Sequence, residues 1–516
     1  MMKSNNTEIT QRLLREERKY SLKREIGWYD SFCLSYADVG ADVYIALGVT
    51  AMFAAGGTPL AFIIGSLLYV SIGLAYAELA STYPLAGGAQ VYAMRAFNDL
   101  LGFLAGWMLM LDYVIDIALF TVAATGYLGF ICPFILSAQI EVLPGIRFPS
   151  VGLVAIAIIL MLMVVNYIGI KPSAKFTALL VTINLLITAV ILTLGYLLSW
   201  NFEKFVSDLG VLGGTVVSKE VSYTGLLNWR FENFLYGLTL AMSSFIGIET
   251  IAQAAEETKA PRKTIPKATT LAIMAVIIGV IGYSVLGLGV LGWRGLAKAQ
   301  FNPVAAIAEK IPLVGIYIAS FVAAIGFMIT VASANTGVIG VSRLAYSMGK
   351  FLLLPRKFYR VHPRYRTPTQ VIIIFSVISI AIVLWGMLQP NILVFISSLY
   401  NFGALLSYML VLASLIVLRN TDKNVIRPFK VPVNIRLKGK KRDLEIPLPI
   451  MIGLIGIACM WSLVIVYHSY VRILGTLWIA IGLLVYYMYR KAMKIPLRSN
   501  LGREMLAYRE VDEYYK

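Results

Sequence analysis

Five acidic residues sit where the surrounding chain offers them no counter-charge: Asp38, Asp42, Asp112, Asp116 and Glu249. The aspartates of each pair are four residues apart, one helical turn, so each pair shares a face of its helix. All five lie deep in apolar runs of roughly twenty residues or more, long enough to cross about 30 Å of hydrocarbon. A carboxylate at that depth costs several kcal/mol unless it is paired, protonated, hydrated or holding a cation. No Lys or Arg falls well inside any of these runs, so pairing with a basic side chain there is excluded. Water, a proton or a bound cation remains, and each implies a polar cavity. Asp30, Glu78 and Glu232 lie near the ends of runs and are expected to reach water.

The elements that position these acids are spans. With 59% hydrophobic and 14% charged residues over 516 positions, the chain lacks the polar surface of a soluble protein. It reads as an all-α polytopic membrane protein with about twelve spans: 28–53, 57–80, 99–129, 150–170, 176–200, 231–254, 268–292, 313–341, 368–388, 391–418, 446–468 and 471–489. Residues 28–489 form one transmembrane domain. Segment 1–27 is polar, has no signal-peptide core, and is expected in the cytosol, as is the tail 490–516. With the N-terminus inside, about 37 of the 45 Lys and Arg fall on the cytosolic side and about 8 on the other, as the positive-inside rule requires. The net charge of +18 is therefore a topology signal lying near anionic headgroups of the bilayer. It needs no nucleic-acid partner. Three cysteines without metal-type spacing and two distant histidines indicate no metal site, disulfide framework or cofactor. No nucleophile–base arrangement is present, so the chain is not read as an enzyme.

Two of the spans carry weak points. Gly40 lies near the middle of the first, and the sixth contains FIGIE, Phe245 to Glu249, preceded by Ser243 and Ser244. Glycine lowers helix stability by about 1 kcal/mol relative to alanine. A break frees backbone groups that lipid cannot satisfy and a ligand can. Helix N-termini at a break attract an anionic group, and the opposing carbonyls a cation. Spans one and six open two five-helix halves, about 28–200 and 231–418, with two extra helices over 446–489. Interruptions at corresponding positions of two halves point to a transporter site at the midplane. The same glycines also allow close helix packing, as small residues do in membranes.

Several stretches resemble the amino acid–polyamine–organocation (APC) superfamily, amino acid permease type. They are YAELASTYPLAGGAQVYAMRAF (Tyr76 to Phe97), SFIGIETIAQAAEETKAPRKTIPKA (Ser244 to Ala268), NYIGIKPSAKF entering span five, and SRLAYSMGKFLLLPRKFYRVHPRYRTP after span eight. The resemblance runs from span one through span nine. It implies a leucine-transporter-like fold, an inverted 5+5 repeat plus two helices, working by alternating access. It also implies a substrate site between unwound spans one and six, flanked by spans three and eight. Substrates in this superfamily are mostly amino acids and amines, driven by a proton or sodium gradient or by exchange. Two departures bear on the site. The family's GSGIF-like motif reads Gly40-Ala41-Asp42-Val43-Tyr44, with an aspartate in place of its third small residue, and the mid-span lysine of many proton-coupled relatives is Asn184.

The expected substrate-binding set is Asp38, Gly40, Ala41, Asp42, Asp112, Ser244, Phe245 and Gly247, with Asp116 and Glu249 in coupling or gating. Thr330, Ser333, Asn335 and Thr336 offer oxygens for a cation site, which suits a hard cation; such hydroxyls also bond commonly to their own helix. The function read from this set is a secondary active transporter for an amino acid or organic amine, coupled to protons. An inorganic cation (K⁺) carrier using the same acids is the alternative. A nutrient sensor that binds without transporting is more remote, because no output domain is evident.

Overall fold

The computed structural model describes residues 24, 26–85, 87–143, 146–168, 174–214, 217–312, 315–365, 367–437 and 444–506. Most of segment 1–27, the turn within NYIGIKPSAKF and the last ten residues of the tail lie outside the described residues. Among the described residues, twelve helices are long and apolar enough to span a membrane: Trp28–Ala54, Thr58–Thr82, Asp99–Ile131, Ser150–Ile168, Thr177–Leu198, Trp229–Gln253, Pro261–Val290, Tyr317–Lys350, Thr369–Gly386, Ile392–Thr421, Leu448–Tyr467 and Ser469–Ala492. The seventh begins earlier than the hydropathy suggests because Pro261 is well suited to a first helical turn, and PRKTIPKA supplies that turn before the apolar run. Among the described residues, the strands are two short hairpins in loops, Gln139–Leu143 with Ile146–Pro149 and Asn434–Leu437 with Leu444–Pro447.

Burial sorts the spans. The first, sixth and third are 94%, 89% and 83% buried, whereas the eleventh and twelfth are 33% and 22%. The acid-bearing helices are thus the interior, and the most uniformly apolar ones present their side chains outward. Spans three and eight, two and seven, one and six, and four and nine pack against one another. Each half also inserts short helices between its second and third spans, Ala89–Ala96 in one and Gly292–Lys298 with Pro303–Glu309 in the other. Both features match a chain built from two related halves.

The first span departs from the sequence reading. It is one unbroken helix from Trp28 to Ala54, through Gly40 and Ala41. A glycine penalty of about 1 kcal/mol is too small to break a 27-residue helix held on every side. Gly40 instead makes room for a ring: a Cβ there would lie 2.6 Å from the Tyr36 side chain.

Glu78 and Glu232 also depart from expectation, since neither reaches water and both are 0% exposed. Glu78 is gripped by Arg419 through Nε and Nη2, by the Val431 amide at 2.8 Å and by Arg427 at 3.5 Å. Glu232 accepts from the backbone of Thr224 and Leu227 and so folds the loop before span six. A third buried acid, Asp99 at the start of span three, holds Arg490 at 2.8 Å and the Gly502 amide at 3.0 Å, which docks the C-terminal segment. These pairs sit at span ends, so the basic partners never enter the interior.

Candidate functional site

Span six supplies the irregular backbone. It is α-helical over Trp229–Ala241, tightens to a 3-10 turn over Met242–Phe245, is extended at Ile246 and resumes as a helix at Thr250. Gly247 adopts φ +117°, which side-chain-bearing residues rarely adopt, so the glycine makes this break. Its amide points at Glu249 Oε2 and Tyr408 Oη, each at 3.1 Å. A Cβ on Gly247 would lie 2.8–2.9 Å from the Asp38 side chain, so the broken strand of span six lies directly on span one. Gly247→Ala is expected to lose uptake and lower the melting temperature. Backbone strain of about 1–3 kcal/mol adds to that steric clash, and thermal unfolding of the purified variant checks it.

Around this break the five acids come together. Asp38, Asp42, Asp112, Asp116 and Glu249 are each at most 2% exposed. Asp38 Oδ1 accepts from Ser333 Oγ at 3.0 Å and Thr336 Oγ1 at 2.9 Å, both on span eight. Tyr408 donates to Glu249 Oε2 at 2.6 Å, and Tyr400 to Asp116 Oδ1 at 3.4 Å. The Asp112 and Glu249 carboxyls are close enough to act on each other. Asp42 faces the Ile246 amide at the break, yet neither of its oxygens completes a hydrogen bond, and one oxygen each of Asp112, Asp116 and Glu249 is likewise unpartnered. The hydroxyls of Tyr69, Tyr76, Tyr113 and Ser244 are buried and unpartnered too. Buried polar atoms are ordinarily satisfied, so this concentration marks a place shaped for a polar guest. Every ion pair among the described residues lies outside the cluster.

The other expected residues fall on both sides of that line. Ser333 and Thr336 face Asp38. Thr330 bonds only to its own helix, at Gly326 and Phe327, and Asn335 accepts from Asn166 of span four at 2.7 Å. Those two do not join a cation site with the others. Phe245 stacks toward span two, against Tyr69 and Phe62. Gly40 and Ala41 are locked inside a regular helix, so their backbone is not available to receive a carboxylate. Tyr400 and Tyr408 of span ten were not among the sequence candidates. Their eight-residue spacing, near two turns, and inward phenols were the available signal. Asn184 also gains a position: it accepts from Tyr36 at 3.2 Å and donates to Tyr44 at 2.7 Å, fastening span five to span one.

Both faces are closed over the cluster. On the side of the termini, Ile26 pairs with Thr258, Glu257 bridges to Arg343 of span eight at 2.9 Å, and Gln90 donates to Ser347. The acid beyond span six therefore pairs with span eight. On the opposite side Ala55 pairs with Leu212, Asn391 donates to Gln300, and Asn302 donates to the Gly126 carbonyl. The five acids thus form a buried cluster enclosed by spans one, three, six, eight and ten.

Comparison with known proteins places this geometry in context. A family model described as amino acid permease matches residues 26–437. The chain is 26% identical to the branched-chain amino acid permease BcaP of Bacillus subtilis (strain 168), with 92% of this chain and 95% of that one covered. It is 24% identical to the methylthioribose transporter of the same organism, at the same coverage. It is 26% identical to the low-affinity putrescine importer PlaP of Escherichia coli (strain K12), over 88% of this chain and 91% of that one.

Proposed function

Because this chain belongs to the amino acid permease family and is a multi-pass membrane transporter, we propose that its cargo is a cationic organic amine carried together with a proton. The observation that carries this reading is five carboxyls gathered in one buried cluster without a basic side chain. An amino acid needs donors for its carboxylate. Here span one offers none at Gly40 and Ala41, and the Gly247 amide is already engaged by Glu249 and Tyr408. An ammonium needs acceptors, and the unpartnered oxygens of Asp42 and Asp116 supply them. The putrescine importer among the relatives accords with this class of cargo.

In this mechanism the ammonium is held by Asp42 with Asp38 and Asp116, at the seam of spans one, three and six. The proton belongs to Asp112 and Glu249, because two like charges this close cannot both ionise and so share one proton. Glu249 also receives the Gly247 amide. Loss of that proton charges the pair and pulls on the break in span six, coupling protonation to the outward–inward exchange. The excess of Lys and Arg on alternate loops orients the chain with both termini in the cytosol and suits a cell membrane.

The test is uptake of 1,4-diaminobutane into proteoliposomes under an imposed pH gradient. The wild-type chain is expected to accumulate it. Asp112→Asn, which mimics a fixed neutral carboxyl, is expected to keep amine exchange but lose gradient-driven accumulation. Uptake of Rb⁺ without competition from amines would instead support the inorganic cation reading. Accumulation of leucine without that of diamines would overturn the amine assignment.

A further inference from the structure

A second pocket lies at the far end of span twelve from the C-terminal tail. It is lined by Glu220 of the loop before span six, Tyr236, Gln389, Phe395, His468 and Tyr470. It is separate from the acidic cluster. Tyr236 packs on Phe53, eleven residues along span one from Asp42, a rise of about 16 Å.

Two buried acceptors face this pocket with nothing to accept. His468 is 3% exposed and stacks on the Tyr236 ring at 4.0 Å between centroids. Its Nε2 lies 2.7 Å from Thr239 Oγ1, and the single proton of that hydroxyl goes to the Tyr236 carbonyl at 2.7 Å. Nε2 must then carry the imidazole proton and donate to Thr239, which leaves Nδ1 as a bare lone pair. Nδ1 has no partner, and neither has Glu220 Oε2. Burial pushes the His468 imidazole down to about 3, so it is neutral at physiological pH and keeps that lone pair. Among the neighbouring donors, Asn391 Nδ2 goes to Gln300, and the first amides of span ten are capped by Asn391 Oδ1. The pocket lining contains no Lys or Arg. The Tyr236 ring is covered by His468 and Phe53, and the rings of Phe395 and Tyr470 complete the wall; aromatic rings attract cations.

We propose that this pocket is a second amine site, in which a primary ammonium sits between the Glu220 carboxyl and His468 Nδ1 beside the rings of Phe395 and Tyr470. The site stands independently of what the acidic cluster carries. With only two histidines in the chain, His362 and His468, the test can be read directly. The full chain labelled with ¹⁵N-histidine in proteoliposomes is titrated with n-butylamine and followed by solid-state NMR. The His468 Nδ1 resonance is expected to shift saturably while the His362 signals stay fixed. Glu220→Gln is expected to weaken that titration at least tenfold, and Asp42→Asn to leave it intact. An unmoved Nδ1 signal at saturating amine would overturn the proposal, as would an unchanged titration in Glu220→Gln. Both readouts are independent of transport, so a failure of the amine reading for the cluster would be seen separately, as intact uptake in Asp42→Asn.

Discussion

Asp42→Asn is expected to reduce amine uptake by roughly two to three orders of magnitude while leaving the protein at least as stable. The transport loss follows from the role of its two unpartnered oxygens. Removing one charge of a buried ion pair costs about 3–5 kcal/mol, and each 1.4 kcal/mol is about tenfold in affinity. The stability effect has the opposite sign. Asp42 is 1% exposed with no hydrogen bond within the protein, so an isosteric neutral amide removes a desolvation cost and breaks no bond. Asp38→Asn is expected to be milder, because an amide oxygen can still accept from Ser333 and Thr336. Uptake in proteoliposomes, paired with melting temperatures of the purified variants, separates these outcomes. A variant that melts early and transports normally would contradict the assignment of Asp42 to the cargo.

The second large effect concerns architecture alone. Arg419→Ala is expected to cost about 3–5 kcal/mol, because it strands Glu78, which is 0% exposed, with only Arg427 at 3.5 Å and one amide to compensate it. Against a total stability of about 5–15 kcal/mol, that loss is a large fraction. The double change Glu78→Met with Arg419→Met is expected to recover most of it, since the one charge left behind, Arg427, keeps the Leu418 and Asp422 carbonyls. Melting temperatures and yields of monodisperse protein in detergent report both. Failure of the double variant to recover would mean that the pair also holds the 10–11 loop through Asn434 and Glu445, which Arg419 contacts.

What the sequence determined by itself follows from the price of polarity in hydrocarbon. Twelve apolar runs, their order and the interior position of the acidic ones were legible because length and charge decide those matters locally. The break at Gly247 was legible for a similar reason: FIGIE after paired serines is weak helix whatever surrounds it. Tertiary packing decided the rest. Gly40 and Gly247 look alike as letters, yet span one stays helical around Gly40 because its neighbours enclose it and Tyr36 fills the space a side chain would take. Glu78 and Arg419 stand 341 positions apart, and a partner at that separation has no local trace. The same holds for Tyr400 and Tyr408 meeting Asp116 and Glu249. A sequence shows that a charge must be compensated; only the folded chain selects which atoms do so.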